Sequence, residues 1–465
     1  MARHARTVQL RKPDGAGEIR GLAPALAAVA ATALSMALHD AGGSYSTTAI
    51  GWLSVSLAAA LGAAAAAIVP LPDRVREIPI GGVLLACLGV QLAMLIWRPI
   101  ELPMEALGEQ GFTVVVILLG MAAVLAGSLC SQRSWWGRWA LPAVVVLGGA
   151  FLYVLLTRLP SPGVDVLMFQ SKSSDLLLSG SNPYAARFPD PYPPATSATV
   201  YGPGVSVNGV LQMGFIYMPL SLLMGLPGHV LGDVRYANLA YILLAAVLIA
   251  LAGRRPADAV TGLLLLFSPI VPLVLVLGWT ETHVAVLLAL TWFCAARQPR
   301  LLPYAFGLLL VSKQYMPAMA PLGLLLLPRP WSGRRVWEFA WRAAIPAAVT
   351  TLPLALWNLP EFFNSVVMFQ VRQPFRRDAL SYLNLLPVAD PLAWTWVPFA
   401  ALGAMLLLTL LLGSRGRLNF FLAVSLCLMV FFALSKQAFA NYYFVVIASL
   451  CAAVAASQQP RTAHS

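Results

Sequence analysis

Long uninterrupted apolar runs decide what this chain can fold into. They fall near 21–39, 46–71, 79–97, 111–130 and 139–157. After a polar stretch they resume near 213–231, 235–252, 259–278, 282–296, 303–327, 341–357, 393–413, 419–436 and 440–457. About 20 apolar residues are what a helix needs to cross bilayer hydrocarbon. In lipid every backbone N–H and C=O must be satisfied within the chain, which leaves helices or a closed barrel. Barrel strands alternate apolar and polar residues, and these runs do not. Charged residues are 10% of the chain and apolar ones 59%, whereas soluble domains carry roughly 25% charge. The expected fold class is therefore an all-α integral membrane protein, a polytopic helical bundle of about 12–14 membrane segments.

The net charge of +12 reads as Lys and Arg concentrated in cytoplasmic loops. No basic patch with groove-reading elements is visible, so nucleic acid is not an expected partner. Segment 1–20 is basic and too polar for a signal-peptide core, and the run after it lacks a convincing cleavage site. It is expected to be a cytoplasmic tail followed by a retained helix. Arg3, Arg6, Arg11 and Lys12 place the N-terminus inside, and Arg74, Arg76, Arg133 and Arg138 agree, with Arg98 a lone exception. Five crossings over 21–157 bring the loop 158–212 outside. If 213–231 crossed as well, Arg254, Arg255, Arg297 and Arg300 would all face outward. Pro219, Gly225, Pro227 and Gly228 suit a re-entrant segment instead. The run 303–327 is basic at both ends and is interrupted by Lys313, Pro317 and Pro321. It is expected to be a broken hairpin with both ends inside.

The resulting layout is a tail (1–20), N-terminal helices (21–157), an extracytoplasmic loop with the re-entrant segment (158–234) and central helices (235–357). An arginine-rich extracytoplasmic loop (358–392), C-terminal helices (393–457) and a second cytoplasmic tail (458–465) follow. The expected location is the plasma membrane, with both termini cytoplasmic. Cys87, Cys130, Cys294, Cys427 and Cys451 lie in or at the ends of apolar runs without paired metal spacing, and read as small packing residues.

Polar chemistry collects at the expected outer face. Asp165 follows a helix exit and opens an amphipathic stretch to Leu178 that carries Asp175. It reads either as a helix N-cap or as a catalytic base. Arg372, Arg376 and Arg377 sit outside, against the positive-inside trend. The planar fork of arginine suits phosphate; the plainer alternative is pairing with Asp378, Glu361 or lipid headgroups. Glu281 with His283, Lys313, and Lys436 with Asn441 lie in or beside membrane runs, where ionisable groups are costly and point to function. All of these are expected to face one outward cavity. Asp165 and Asp175 alone supply too few oxygen ligands for a metal site. No metal site and no cofactor are expected, with a divalent cation left as an alternative.

The order of Asp165, then Leu-Ser-Gly-Ser-Asn-Pro-Tyr at 178–184, then Gly-Phe-Ile-Tyr-Met-Pro-Leu at 214–220 resembles the GT-C glycosyltransferases. It looks most like the family 87-like polyprenyl-phosphate-mannose-dependent mannosyltransferases of bacteria. The resemblance covers roughly residues 160 to 385, and Lys313 matches a lysine of a later broken helix. The chain departs from the pattern by about four additional leading helices and by an insert, Pro189 to Gln212. The resemblance implies a GT-C membrane bundle with Asp165 as general base, and with Lys313 and the loop arginines on the donor phosphate.

An outward site has no supply of nucleotide sugars, so the expected donor is a polyprenyl-phosphate sugar, most simply a mannose or another hexose or pentose. The acceptor is a glycolipid or glycan in contact with membrane lipid. Cations would neutralise the leaving phosphate, a carboxylate would take the acceptor proton, and in-line displacement would invert the anomeric centre. Glu281, His283, Asn182, Tyr184, Tyr217 and Lys436 complete the expected substrate-binding set, with Tyr184, Tyr217, Trp279 and Tyr382 able to stack on sugar faces. The competing reading is a secondary transporter or lipid flippase.

Overall fold

The computed structural model describes residues 21–457 except 77, 98–100, 131–134, 160–161, 254, 329, 387–390 and 414–415. The two expected tails, and Arg98, Arg133, Arg254, Arg329 and Arg415, lie outside the described residues. The protein is a helical, membrane-type bundle. Five described helices are long and apolar enough to cross a membrane by length and composition: Leu22–Asp40, Thr47–Ile68, Trp139–Arg158, Val234–Gly253 and Gly333–Trp357. Shorter apolar helices of 10–17 residues pack among them.

In chain order the first helices are α1 (Leu22–Asp40), α2 (Thr47–Ile68), the single turn α3 (Asp73–Arg76), α4 (Gly81–Trp97), α5 (Glu101–Cys130), which breaks at Gly108, and α6 (Trp135–Arg158). The amphipathic α7 (Asp165–Leu178) follows, then α8 (Pro194–Tyr201), α9 (Pro219–Val230) and α10 (Val234–Gly253). The apolar run 259–278, expected as one span, is instead two helices, α11 (Pro256–Leu266) and α12 (Val271–Val276), because Ser268-Pro269 interrupts it. Proline lacks the N–H that the ladder needs. The remaining helices are α13 (Glu281–Arg297), α14 (Leu302–Leu310), α15 (Gly333–Trp357), the short α16 (Leu359–Phe363) and α17 (Phe369–Arg372), α18 (Val397–Leu412), α19 (Arg417–Ala433) and α20 (Ala440–Ala456). A 3₁₀ segment, Met316–Leu326, follows α14.

The described residues are not purely helical. The insert carries a small antiparallel sheet, β1 (Phe188–Pro189), β2 (Ser206–Val207) and β3 (Val210–Leu211), ordered β1-β3-β2 with Phe188 opposite Leu211 and Val207 opposite Val210. The turn Asn208-Gly209 joins β2 to β3, both residues at positive φ (51° and 74°). That is the tight hairpin turn Asn-Gly favours.

Helix α20 forms the centre of the bundle, buried at every position from Tyr443 to Ala456 and packed on α1, α11, α13 and α19. Its alanine-rich sequence lets neighbouring backbones approach closely, as small residues do between membrane helices. Gly307 of α14 does the same against the backbone carbonyl of Ala343 on α15.

Two stretches are not single long helices. Helix α9 has 12 residues, roughly 18 Å at 1.5 Å per residue, which is short of a span of about 30 Å. It lies along the first half of α10: Gly228 packs on Ala237, and the Met224 carbonyl accepts a 2.9 Å hydrogen bond from Tyr241. The segment 303–327 doubles back. Tyr315 stacks on Phe432 near the end of α19, whereas the Leu325 carbonyl meets the Gly416 amide at the start of α19 (3.3 Å). Pro317 and Pro321 deny the chain a continuous helix here.

The two ends of the bundle differ. At one end, α10, α13 and α20 close against one another: Arg297 reaches the Leu251 carbonyl, and Arg255, paired with Asp258, reaches that of Ala455. The other end carries Asp165, the tip of the doubled-back segment and the 358–386 loop. That loop is stitched down by Tyr45 N–H to Asp378 and by Leu380 N–H to Ala438, each 2.8 Å.

Cys87, Cys294, Cys427 and Cys451 are free and buried, so with Cys130 replaced by serine, an impermeant maleimide should read only introduced thiols. Asp175→Cys and Arg377→Cys should label from one face of intact cells, and Arg334→Cys only from the other. Labelling of all three from a single face would contradict a bundle that crosses the membrane.

Candidate active site

Asp165 opens α7, one residue inside its N-cap, Val164. Its two expected roles, cap and base, use different oxygens. Oδ1 accepts the Val166 amide at 2.8 Å, as an anion in the first turn of a helix does. Oδ2 accepts the Tyr201 hydroxyl at 3.1 Å. The Asp165 amide donates to the Tyr192 hydroxyl at 3.3 Å. Burial pushes the carboxyl above its ordinary range, while Tyr201, the Val166 amide, Tyr192 and the nearby Arg376 pull it back. Burial and the Asp165 charge together raise both phenols, so Tyr192 and Tyr201 stay protonated.

The backbone of α7 is clamped from two sides. Gly278, at φ 66°, closes a turn directly beneath Leu167, where any larger residue would collide. Gln170 donates to Ser221 of α9 at 3.2 Å, and Phe169 sits edge-on to Phe188 of β1.

Lys313 sits at the tip of the doubled-back segment. Its ammonium is 2.9 Å from Oε1 of Glu281, with the two side chains 5% and 1% exposed. Asn441 donates to the same oxygen at 3.2 Å, and the ammonium lies 4.4 Å from the Tyr217 ring centroid, a cation–π distance. An ammonium has three donors, so the Glu281 bond leaves Lys313 able to hold another acceptor. Glu281 Oε2 and the Tyr315 hydroxyl are buried without a hydrogen-bond partner among the described residues, which makes this a polar spot the protein alone does not complete. Tyr217 lies within electrostatic range of both Asp165 and Glu281.

Several expected residues serve the scaffold. Tyr184 is fully buried between Phe215 and Phe362, and its hydroxyl donates to the Tyr217 carbonyl at 3.0 Å. It positions Tyr217 and offers no face to a sugar. Asn182 accepts the Tyr184 amide at 2.9 Å and shapes that turn. Lys436 donates to the carbonyls of Val371 (2.8 Å) and Gln373 (2.6 Å), anchoring the arginine loop. His283 is buried, bonded to Asn238 at 2.9 Å and edge-on to Tyr241. Tyr382 bonds Ser54 at 2.9 Å, and Asp175 pairs with His229 at 2.8 Å, both with the partner chosen within the protein.

The arginines divide. Arg376 forks onto Asp378 (2.8 and 2.6 Å) and lies over the Phe439 ring; its guanidinium holds the Asp378 carboxyl below its usual range. Arg376 nevertheless acts on Asp165 electrostatically. Arg372 bonds Asn364 at 3.2 Å, and Arg377 lies beside Phe375; both are exposed. Glu361, a considered partner for these arginines, binds Arg187 instead at 2.9 Å.

Tyr192 and Tyr201, two side chains that hydrogen-bond Asp165, were not among the residues the sequence singled out. Both come from the insert that looked like an interruption. Their signal was faint: Asp-Pro-Tyr at 190–192 and Tyr-Gly-Pro-Gly at 201–204 place tyrosines at rigid, turn-forming positions. Among the described residues, no group of three or more His, Cys, Asp or Glu side chains is placed to hold a metal ion. No protein-family profile, curated protein or solved structure matches the chain.

Removing one member of a buried ion pair leaves an uncompensated charge, at about 3–5 kcal/mol. Lys313→Met should therefore destabilise the protein by roughly that amount in detergent unfolding, and adding Glu281→Gln should recover most of it. A double-variant loss equal to the sum of the two single losses would show that the pair is not coupled.

Proposed function

We propose that this protein is a membrane glycosyltransferase of GT-C type. It moves a sugar, mannose or another hexose or pentose, from a polyprenyl-phosphate donor to a glycolipid or glycan acceptor on the extracytoplasmic face. The observation that carries the reading is the presence, at one end of a lipid-type bundle, of a half-buried aspartate held by two phenols, Tyr201 on its carboxylate and Tyr192 on its amide, and of a buried lysine that retains free donors.

In this reaction Asp165 takes the acceptor hydroxyl proton as that oxygen attacks C1 of the donor sugar. The C1–O bond to phosphate breaks, and its electron pair leaves with the polyprenyl phosphate. Attack opposite the leaving group inverts the anomeric centre. Lys313 faces the developing phosphate charge with the donors that Glu281 does not use, in a water-poor setting where such contacts are strong. Arg376 contributes its field, and the exposed Arg372 and Arg377 meet the donor at the membrane edge. A transporter or flippase would distribute its charges along a path between the two faces. Here the buried Arg235, Glu281 and Lys313 share the end that holds Asp165, and buried Asp258 is neutralised by Arg255 at the far end.

Incubating the purified protein with a panel of radiolabelled polyprenyl-phosphate sugars and membrane acceptors tests the reading directly. Asp165→Ala should insert and fold normally but lose transfer by at least a hundredfold, in line with removal of a general base, which contributes roughly 10²–10⁴-fold. Full transfer by that variant would remove Asp165 from the mechanism.

Because burial raises the Asp165 pKa, the ionised base appears only above the ordinary carboxylate range, and transfer should fall as pH drops through that raised value. Tyr201→Phe removes a hydrogen bond that favours the carboxylate. Such a bond to a charged group is worth about 1.5–3 kcal/mol, so the acid limb should move up by roughly one to two pH units. An unmoved limb would mean that another group titrates.

A further inference from the structure

The insert 189–212 does more than deliver Tyr201. Between β1, α8 and the β2–β3 hairpin it encloses a cavity of about 290 Å³, lined among others by Asp190, Tyr192, Ser197, Gly202, Ser206 and Asn208. The size is just below that of drug-sized ligand pockets, which span roughly 300–1,000 Å³, and suits a single small ring. Asp190 is its charged group. Burial would raise this carboxyl, but hydrogen bonds from Ser197, Ser206 and the Tyr192 amide (3.0 Å) outweigh burial and hold it below its ordinary range. It therefore stays an anionic acceptor.

The wall of the cavity is also the wall of the candidate active site. Tyr192 lines the cavity and accepts the Asp165 amide with its hydroxyl. Its ring lies 5.8 Å from that of Tyr201, the residue bonded to the Asp165 carboxylate and followed directly by the cavity residue Gly202. Asp190 lies on the lining of the cavity, and Tyr192, on the same lining, touches Asp165.

The lining selects by chemistry. It contains no Lys or Arg, so an anionic headgroup finds no partner there, and its carboxylate and hydroxyls do not suit an acyl or isoprenoid tail. A carboxylate that accepts hydroxyl protons, an amide at the rim (Asn208) and an aromatic flank match a neutral, hydroxyl-rich ring. We propose that the 189–212 insert is the acceptor subsite of this enzyme, that it binds a neutral sugar of the acceptor glycan against Asp190 and Tyr192, and that it presents a hydroxyl of that sugar to Asp165. This rests on the transferase reading above.

Binding and transfer separate the two ideas. Full-length protein in lipid nanodiscs is titrated with octyl hexosides and octyl pentosides below their micellar concentrations, by saturation-transfer NMR. The variants are Ala198→Trp, which fills the cavity from exposed α8, and Asn208→Gly, which removes the rim amide and keeps the positive φ of the turn. At least one glycoside should bind the wild type, with binding weakened tenfold or more in Ala198→Trp and severalfold in Asn208→Gly. In transfer assays both variants should raise the acceptor KM by similar factors and leave the donor KM unchanged. If neither variant changes glycoside binding or acceptor KM while the wild type transfers sugar, the subsite is refuted and the transferase reading stands. If glycosides bind in the cavity but no polyprenyl donor is ever used, the sugar site stands and the transferase reading falls. Absence of glycoside binding to the wild type refutes the subsite.

Discussion

A lysine buried within an apolar bundle cannot stand alone, and the answer to Lys313 organises this end of the protein. Its counter-charge, Glu281, opens α13; Asn441, in the first turn of α20, shares the same oxygen; the Tyr217 ring, from the stretch leading into α9, covers the ammonium. One ion pair therefore fixes the relative positions of four chain segments distant in sequence. The desolvation it costs is not recovered by Coulomb attraction alone, so its retention in place of an apolar contact is a sign of use rather than of stability.

Around that pair the protein places irregular backbone where regular helix would be cheaper. The chain breaks between Leu310 and Met316, runs extended from Met213 to Met218, and opens α7 beside the positive-φ turn at Gly278. Non-helical backbone at membrane depth is tolerated where protein or a cavity satisfies it. Here side chains do so: Gln314 donates to the Ile216 carbonyl at 2.6 Å, and Ser365 accepts the Gly214 amide at 2.9 Å. The breaks bring Tyr217 over the Lys313 ammonium.

The functional reading gains from how polar groups are partitioned. Lys436 and Tyr184 spend hydrogen bonds on the backbone that carries the site, whereas Lys313 keeps donors beyond its Glu281 bond and Glu281 Oε2 has no hydrogen-bond partner among the described residues. Residue type and location alone put all of them in one class.

The sequence by itself determined the bundle, because a scarcity of charge and runs of apolar residues leave a chain no other way to satisfy its backbone. Prolines, which are local signals, also mark the break around Lys313 and the short helix within 213–231. The amphipathic helix beginning at Asp165 was legible from the spacing of its apolar residues. The tertiary structure alone decided that Arg187, not a loop arginine, takes Glu361, that 259–278 is two helices, and that Tyr192 and Tyr201 of an apparent insert meet Asp165. Partner choice among polar groups depends on distances between segments that the order of residues does not encode, whereas burial of an apolar run follows from its composition.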